Sequence, residues 1–359
     1  MNFKKIKKVL VILTIVIVSF ELLSFILSGP IYNAIFNKRF ESVTPYYYEV
    51  NEFDGLERNK YQFKSNNNQL LTGYLYHDGS INDSIALIVM AHGLGGGGHI
   101  PYMPCINYFA NQNFLVFAYD GTGNTESEGE DIIGLPQQLI DLDYAINFID
   151  DLYDLPMMLF GHSWGGYAVC SVLNYQPNIK AVVSLAGFNS SKDIIEAYGR
   201  KYVGGLVKTG LPFVTMHEKR LFGDYANASA LSGFEKTKTD IMIIHSSDDE
   251  TVPISVGYDL YYNKYQKNER FKFIKYNDKG HSQVYYSYET INKINEINKE
   301  FDSWLETLNY DYTSKKNENR FIKDKETYLN QKHIREVLCN NIDYQLFDQI
   351  KEFYINSLK

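Results

Sequence analysis

Five short stretches of unbroken apolar residues limit how this chain can fold: IALIVMAHG at 85–93, FLVFAYD at 114–120, MMLFGHS at 157–163, KAVVSLAG at 180–187 and DIMIIHSS at 240–247. A strand that alternates apolar and polar residues keeps one face in water, whereas a continuous run of this length belongs in a sheet covered on both faces. Apolar residues at helical spacing lie between the runs, around 102–112, 135–151, 164–175 and 254–266. Strand, helix and strand in repetition predict a doubly wound, mostly parallel α/β sheet. Two earlier runs, KYQFKS (60–65) and LLTGYLYH (70–77), flank the polar turn Asn66–Gln69 and read as an antiparallel pair. RFKFIKY (270–276) is a more charged strand and so belongs nearer an edge.

With 359 residues, 45% hydrophobic and 22% charged, the chain can bury a sizeable core as one large domain or two smaller ones. A net charge of −8, with no basic stripe beyond the extreme N-terminus, argues against nucleic acid as a partner. Cys105, Cys170 and Cys339 are widely spaced and odd in number, which predicts buried thiols and neither a metal site nor a disulfide framework.

The N-terminus reads as a separate element. Lys4, Lys5, Lys7 and Lys8 precede a mostly apolar span, Val9–Leu27. A helix over that span rises roughly 29 Å, enough to cross a bilayer core. The lysines favour a cytoplasmic N-terminus with the rest of the chain outside. A cleaved signal peptide is the rival, but its apolar region would be shorter and would end in a small-x-small site, and Ile26-Leu27-Ser28 supplies a bulky residue there. The expectation is therefore an uncleaved anchor over 1–29, with Glu21 facing the outer interface or a partner, and a tether over 30–58 whose Tyr46, Tyr47 and Tyr48 pack on the domain.

Within LFGHSWGGYAVC, residues Gly161-His162-Ser163-Trp164-Gly165 fit G-x-S-x-G. The pentapeptide sits between an apolar strand and a helical pattern, where so sharp a turn exposes the serine hydroxyl and the glycines let strand and helix approach. A serine that merely caps the helix is the plainer alternative. A serine hydroxyl needs a base and a group that orients the base. His281, in YNDKGHSQ after the charged strand, is the candidate base, and Asp248 or Asp249, in IIHSSDDETVP, supplies the acid. The order Ser, Asp, His is the one α/β-hydrolases use. AHGLGGGGH follows the strand at 85–91, and backbone N–H groups of Leu94 and Trp164 are the candidate oxyanion donors. The same loop, Gly93–Gly98, also matches G-x-G-x-x-G with Asp120 ending the next strand, which is a dinucleotide-binding pattern. Two prolines in HIPYMP interrupt the helix that reading needs, and it leaves Ser163, Asp249 and His281 without a role.

The set HGLGG, DGTGNTESEG, GHSWGG, HSSDDETVP and KGHS resembles the α/β-hydrolase superfamily, most of all the branch of monoacylglycerol lipase-like enzymes and the serine aminopeptidase S33 domain. The resemblance covers roughly residues 60–307. It implies Ser163 as nucleophile, Asp249 and His281 as its partners, and Leu94 with Trp164 as the oxyanion hole. It selects Asp249 over Asp248 because the family turn resembles H-G-x-x-D-x-x-V-P and Val252-Pro253 fix the register, with Ser246 standing where glycine is usual. Thr125 likewise replaces a glycine of the D-x-x-G-x-G-x-S pattern. The implied organisation is a hydrolase domain over 59–309 with a helical lid inserted at 188–235, where Ile194, Tyr198, Tyr202, Leu206, Leu211 and Phe213 line an apolar pocket or face the core. A C-terminal helical extension occupies 310–359 and packs on the domain. The implied activity is that of a membrane-anchored, extracytoplasmic serine hydrolase of esters, thioesters or amides, esterase-like first and aminopeptidase-like second, with no cofactor and no metal. A catalytically silent binding protein on the same fold is the remaining alternative.

Overall fold

The computed structural model describes residues 3–42, 49–331 and 342–359. Tyr46, Tyr47, Tyr48 and Cys339 lie outside the described residues.

Every strand read from the sequence is present. They are β1 (Leu56–Lys64), β2 (Leu70–Asp78), β3 (Ala86–Ala91), β4 (Phe114–Tyr119), β5 (Met157–His162), β6 (Ala181–Leu185), β7 (Asp240–Ser246) and β8 (Phe271–Tyr276). They form one sheet in the order β1-β2-β4-β3-β5-β6-β7-β8. β2 runs antiparallel to both β1 and β4, and the other pairs are parallel. The order changes direction between β4 and β5, so the strand ends there open a crevice at their C-terminal edge, where ligands bind in such sheets.

The unbroken apolar runs are explained by two cores, one on each face. Along β3, Leu87, Val89 and Ala91 enter one, and Ala86, Ile88 and Met90 enter the other. The first face is covered by α3 (Leu135–Asp150), α4 (Trp164–Ser171), α7 (Ala230–Lys236) and α8 (Tyr258–Tyr265). The second is covered by α2 (Met103–Ala110) and α11 (Tyr344–Asn356). Between β6 and β7 the chain makes α5 (Ser191–Val203) and α6 (Val207–Phe222) before α7.

The structure adds two features at the ends of the chain. The apolar helix α1 (Phe3–Phe36) continues through Pro30 into the stretch expected to be a tether. Its last turns are held by the domain: Tyr32 and Phe36 are buried in the first core, and Phe25 meets Phe213 of α6 edge-on at 5.9 Å. Residues 39–42 then follow the edge of the domain, where Arg39 donates to the carbonyls of Ser127 (2.9 Å) and Gly129 (2.8 Å). Secondly, the C-terminal region divides in two. α9 (Tyr288–Thr307) and α10 (Glu318–Gln331) stack on each other through Trp304 and Tyr328 (4.6 Å) and are mostly exposed. α11 returns to the sheet and buries Leu346, Phe347, Ile350, Phe353 and Tyr354, each worth roughly 1.5–3 kcal/mol relative to exposure. The Tyr354 hydroxyl donates to the Leu159 carbonyl at 2.8 Å. α11 is thus part of the core.

The α1–α6 seam holds a buried carboxylate. Glu218 Oε1 accepts from Tyr32 Oη at 2.7 Å and from the Ser191 hydroxyl. Burial pushes the Glu218 carboxyl up to about 6, partly offset by those two donors. A carboxyl raised in the folded state gives stability that is complete below its unfolded value and is lost as pH rises through about 6. The loss amounts to about 2 kcal/mol. Glu218→Gln keeps the acceptor and removes the titration. Thermal unfolding of both proteins in detergent should show the variant's Tm gaining on wild type from pH 4.5 to pH 7; a constant gap would refute the assignment.

Candidate active site

The serine turn is built by close contacts. β5 ends at His162 and α4 begins at Trp164, leaving Ser163 alone between them with φ 58° and ψ −115°. A non-glycine residue held there costs about 1–3 kcal/mol, a conformation that persists only where its surroundings enforce it. Here they do. The Ser163 N–H donates to the Leu185 carbonyl at 2.8 Å, and the Ser163 carbonyl accepts from the Tyr167 N–H at 3.0 Å. A Cβ on Gly161 would lie 2.3 Å from the Gly165 oxygen, and one on Gly165 would lie 2.0 Å from the Ala91 oxygen. Only glycine fits at either position.

The structure brings Ser163, His281 and Asp249 into one line. His281 Nε2 lies 2.8 Å from Ser163 Oγ, and His281 Nδ1 lies 2.7 Å from Asp249 Oδ2. Asp249 follows β7, and His281 lies in the loop after β8. Asp249 Oδ1 accepts from the N–H groups of Thr251 (2.9 Å) and Val252 (2.7 Å). Its Oδ2 also meets His245 Nε2 at 3.1 Å. Burial by itself would raise the Asp249 carboxyl, but the hydrogen bonds from His245 and His281 and the charge interaction with His281 hold it well below the ordinary carboxylate range. An anionic Asp249 can only accept, so His281 Nδ1 carries the proton and Nε2 is left to accept from Ser163.

The neighbouring aspartate does a different job. Asp248 Oδ1 accepts from the Ser246 hydroxyl (2.5 Å) and from the Gly280 N–H (3.0 Å), one residue before His281. Ser246 Oγ in turn accepts from the Lys279 N–H at 3.0 Å. The serine that replaces the usual glycine therefore links the aspartate loop to the histidine loop.

Of the two candidate oxyanion donors, Trp164 directly follows the serine, and Leu94 follows Gly93, at which a Cβ would lie 3.5 Å from the His162 oxygen. Trp164 is the first residue of α4, so its N–H has no helical acceptor. The Leu94 N–H also meets no acceptor among the described residues. The loop before Leu94 is locked by side chains. Gln138 Nε2 donates to the His92 carbonyl (3.0 Å), the Gly121 N–H donates to His92 Nε2 (3.0 Å), and the Gly93 N–H donates to Tyr102 Oη (3.0 Å).

Tyr102 and His162 extend this network, and sequence reasoning passed over both. Burial, reinforced by nearby His281, lowers the His162 imidazole to about 3, so it is neutral. Its Nε2 lies 3.0 Å from the His281 carbonyl, which can only accept, so Nε2 carries the proton. Nδ1 then accepts from Tyr102 Oη at 2.9 Å. One chain of hydrogen bonds thus joins the Gly93 loop, the serine turn and the histidine loop. The signal in the sequence was His162 itself, the variable residue before the serine.

The glycine-rich loop is not shaped for a dinucleotide. A Cβ on Gly97 would lie 2.6 Å from Ser42 Cα, and one on Gly98 would lie 2.0 Å from Asp120 Oδ1. Asp120, the would-be ribose ligand, is buried and accepts from His99 through Nδ1 (2.8 Å) and through its N–H (3.0 Å). These glycines serve close packing.

Known proteins resemble this chain in sequence and fold. The chain matches the family of serine aminopeptidases, S33, over residues 82–221, and the prolyl oligopeptidase family over residues 154–309. It is 20% identical over 245 residues to the acylamino-acid-releasing enzyme of Rattus norvegicus, covering 62% of this chain and 31% of that protein. It is 30% identical over 139 residues to the quorum-quenching protein AidA of Acinetobacter baumannii, covering 36% of this chain and 45% of that one. The chain thus spans less than half the length of either relative. Among solved structures, an esterase of Pyrococcus furiosus superposes with a TM-score of 0.51 at 18% identity, covering 75% of this chain and 96% of that one. With its strand order, its glycine-hemmed serine turn and these two family matches, the chain belongs to the α/β-hydrolase superfamily.

Proposed function

We propose that this protein is a membrane-anchored serine hydrolase that cleaves esters, thioesters or amides through an acyl-enzyme on Ser163. The observation that carries the reading is the Ser163–His281–Asp249 line, at 2.8 and 2.7 Å. His281 Nε2 takes the Ser163 proton as Oγ attacks the acyl carbon. Asp249 holds the Nδ1–H tautomer and stabilises the imidazolium that forms. The N–H groups of Leu94 and Trp164 receive the oxyanion, each worth about 2.7–4 kcal/mol in the transition state. His281 then gives its proton to the leaving alcohol, thiol or amine, and the acyl group stays on Ser163. Water enters and attacks the acyl carbon as it loses a proton to the same nitrogen; the bond from that carbon to Oγ then breaks, His281 returns the proton to Ser163, and the acid leaves.

An esterase is the first reading. The match to the prolyl oligopeptidase family and the likeness to the rat acylamino-acid-releasing enzyme favour a peptidase as the second. Residues 188–235 act as the lid. α5 and α6 meet at Gly204-Gly205, with Gly204 at φ 57°, and Lys201 Nζ ties α5 to the Glu250 carbonyl at 2.8 Å beside Asp249. α1 crosses the bilayer with its lysines in the cytoplasm, which leaves the hydrolase domain outside. α1 and α6 run the same way where Phe25 meets Phe213 and Tyr32 meets Glu218. The exposed Tyr202, Val203 and Leu206 at the α5–α6 corner then lie on the span side of the lid.

Ser163→Ala should abolish fluorophosphonate labelling and lower turnover of p-nitrophenyl esters by about 10⁴–10⁶. Labelling of the alanine variant at the wild-type level would sink the mechanism. An aminopeptidase substrate assayed alongside an ester chain-length series separates the two substrate readings.

Asp249→Asn should cost about 10⁴ in turnover, because the amide favours the wrong histidine tautomer. Asp248→Asn keeps an acceptor for the Gly280 N–H and should cost at most about tenfold. Steady-state turnover of both variants decides between them. If Asp248→Asn is the dead one, the register of the site is off by one residue.

The protein should resist carbonate extraction from membranes and keep its N-terminal residues. A mature N-terminus near residue 29 or 30 would show a cleaved signal instead.

A further inference from the structure

Lys279 is two residues before His281 and is completely buried. Its ammonium lies over the rings of Tyr276 (4.1 Å) and Tyr288 (4.9 Å). It donates to the Tyr286 carbonyl and to Asp343 Oδ2, both at 2.7 Å. Asp343 is the N-cap of α11, its Oδ1 accepting from the Leu346 N–H at 3.1 Å. The Asp343 N–H donates to the Tyr285 carbonyl at 2.9 Å, and Ile342 pairs with Tyr286 as an isolated antiparallel bridge. Residues on both sides of His281, Lys279 before it and Tyr285-Tyr286 after it, are therefore fastened to the same two residues, 342 and 343.

A buried ion pair is a poor way to gain stability, since apolar residues of similar volume usually do as well or better. What the pair provides is direction. The ammonium has three donors, and its two carbonyl and carboxylate partners fix where the loop backbone runs. The loop backbone sets the imidazole: the His281 carbonyl is bound by His162, and the Gly280 N–H is bound by Asp248.

We propose that Lys279 and Asp343 are positioning residues for His281, so that the α11 segment, beyond the α9–α10 excursion, completes the active site. The catalytic consequence rests on the hydrolase reading above; the structural one does not. Moving a reacting group by about 1 Å can cost about 10²-fold in rate, and the hydrogen bonds at stake are the one His281 accepts from Ser163 and the one it donates to Asp249.

The test uses two variants of the full-length protein in detergent. Lys279→Met fills the slot between the tyrosines without a charge that needs a partner. Asp343→Asn keeps the cap acceptor for Leu346 and removes the counter-charge. The first readout is the low-field Hδ1 resonance of His281 in protein carrying ¹⁵N-histidine, assigned by its loss in His281→Gln. The second is the rate of fluorophosphonate labelling. In both variants the resonance should move upfield or broaden, and labelling should slow by about 10–100-fold. A purely structural pair would lower Tm and leave both readouts at wild-type values in the folded protein, and that result overturns the proposal. If Asp343→Asn does not fold, Lys279→Met decides alone. If wild type fails to label, the hydrolase reading falls, and the resonance still decides whether the clamp orients His281.

Discussion

One buried carboxylate organises this molecule's candidate site. Asp249 has its two oxygens filled by four partners: the N–H groups of Thr251 and Val252 on one, and His245 and His281 on the other. The backbone donors hold the carboxylate still, and its charge then dictates which nitrogen of His281 bears the proton. The proposed nucleophile is activated only because that choice leaves Nε2 free. Two further contacts, Asp248 on the Gly280 N–H and His162 on the His281 carbonyl, hold the backbone that carries the imidazole this carboxylate binds. The arrangement is affordable in a dry interior because no oxygen of Asp249 is left unbound.

Much of the fold was legible because buried parallel strands leave a coarse trace. Runs such as IALIVMAHG need both faces covered, and their order along the chain is the order of β3 to β7. The serine turn was legible for a different reason. Gly161 and Gly165 stand where any Cβ would collide with backbone, so the spacing in the sequence is a steric record. Asp249 and His281 were found from their places at strand ends, and the choice between Asp248 and Asp249 needed the register of Val252-Pro253. The two aspartates look alike in sequence, yet Asp249 is buried against the His281 ring while the exposed Asp248 binds the Gly280 N–H.

What escaped was long-range. Tyr102 and His162 are separated in sequence and meet through a ring nitrogen, and no local pattern marks such a pair. Lys279 read as a loop residue beside a histidine, yet it is buried, because its partner Asp343 comes from the far side of an excursion. The end of α1 escaped because the apolar span in the sequence closes at Leu27, three residues before Pro30. Proline in a helix removes one hydrogen bond and crowds the turn before it. Tyr32 and Phe36 have buried positions on the domain, and these hold the helix together past that point.

The late arrival of α11 also bears on the order of folding. The second face of the sheet, with Phe109, Phe114 and Phe160, is covered by α11 through Phe347 and Tyr354. During synthesis α2 can already cover part of this face, but the part that α11 covers waits until the whole α9–α10 excursion is made. A nascent chain that has already passed His281 therefore still exposes the apolar surface under α11, and such surface is open to chaperones and to aggregation. The cap of the same helix is the partner of Lys279, so the segment that completes this core also brings the proposed clamp on the histidine loop. A copy cut short before α11 would lack both at once, the cover on Phe109 and Phe114 and the partner of Lys279.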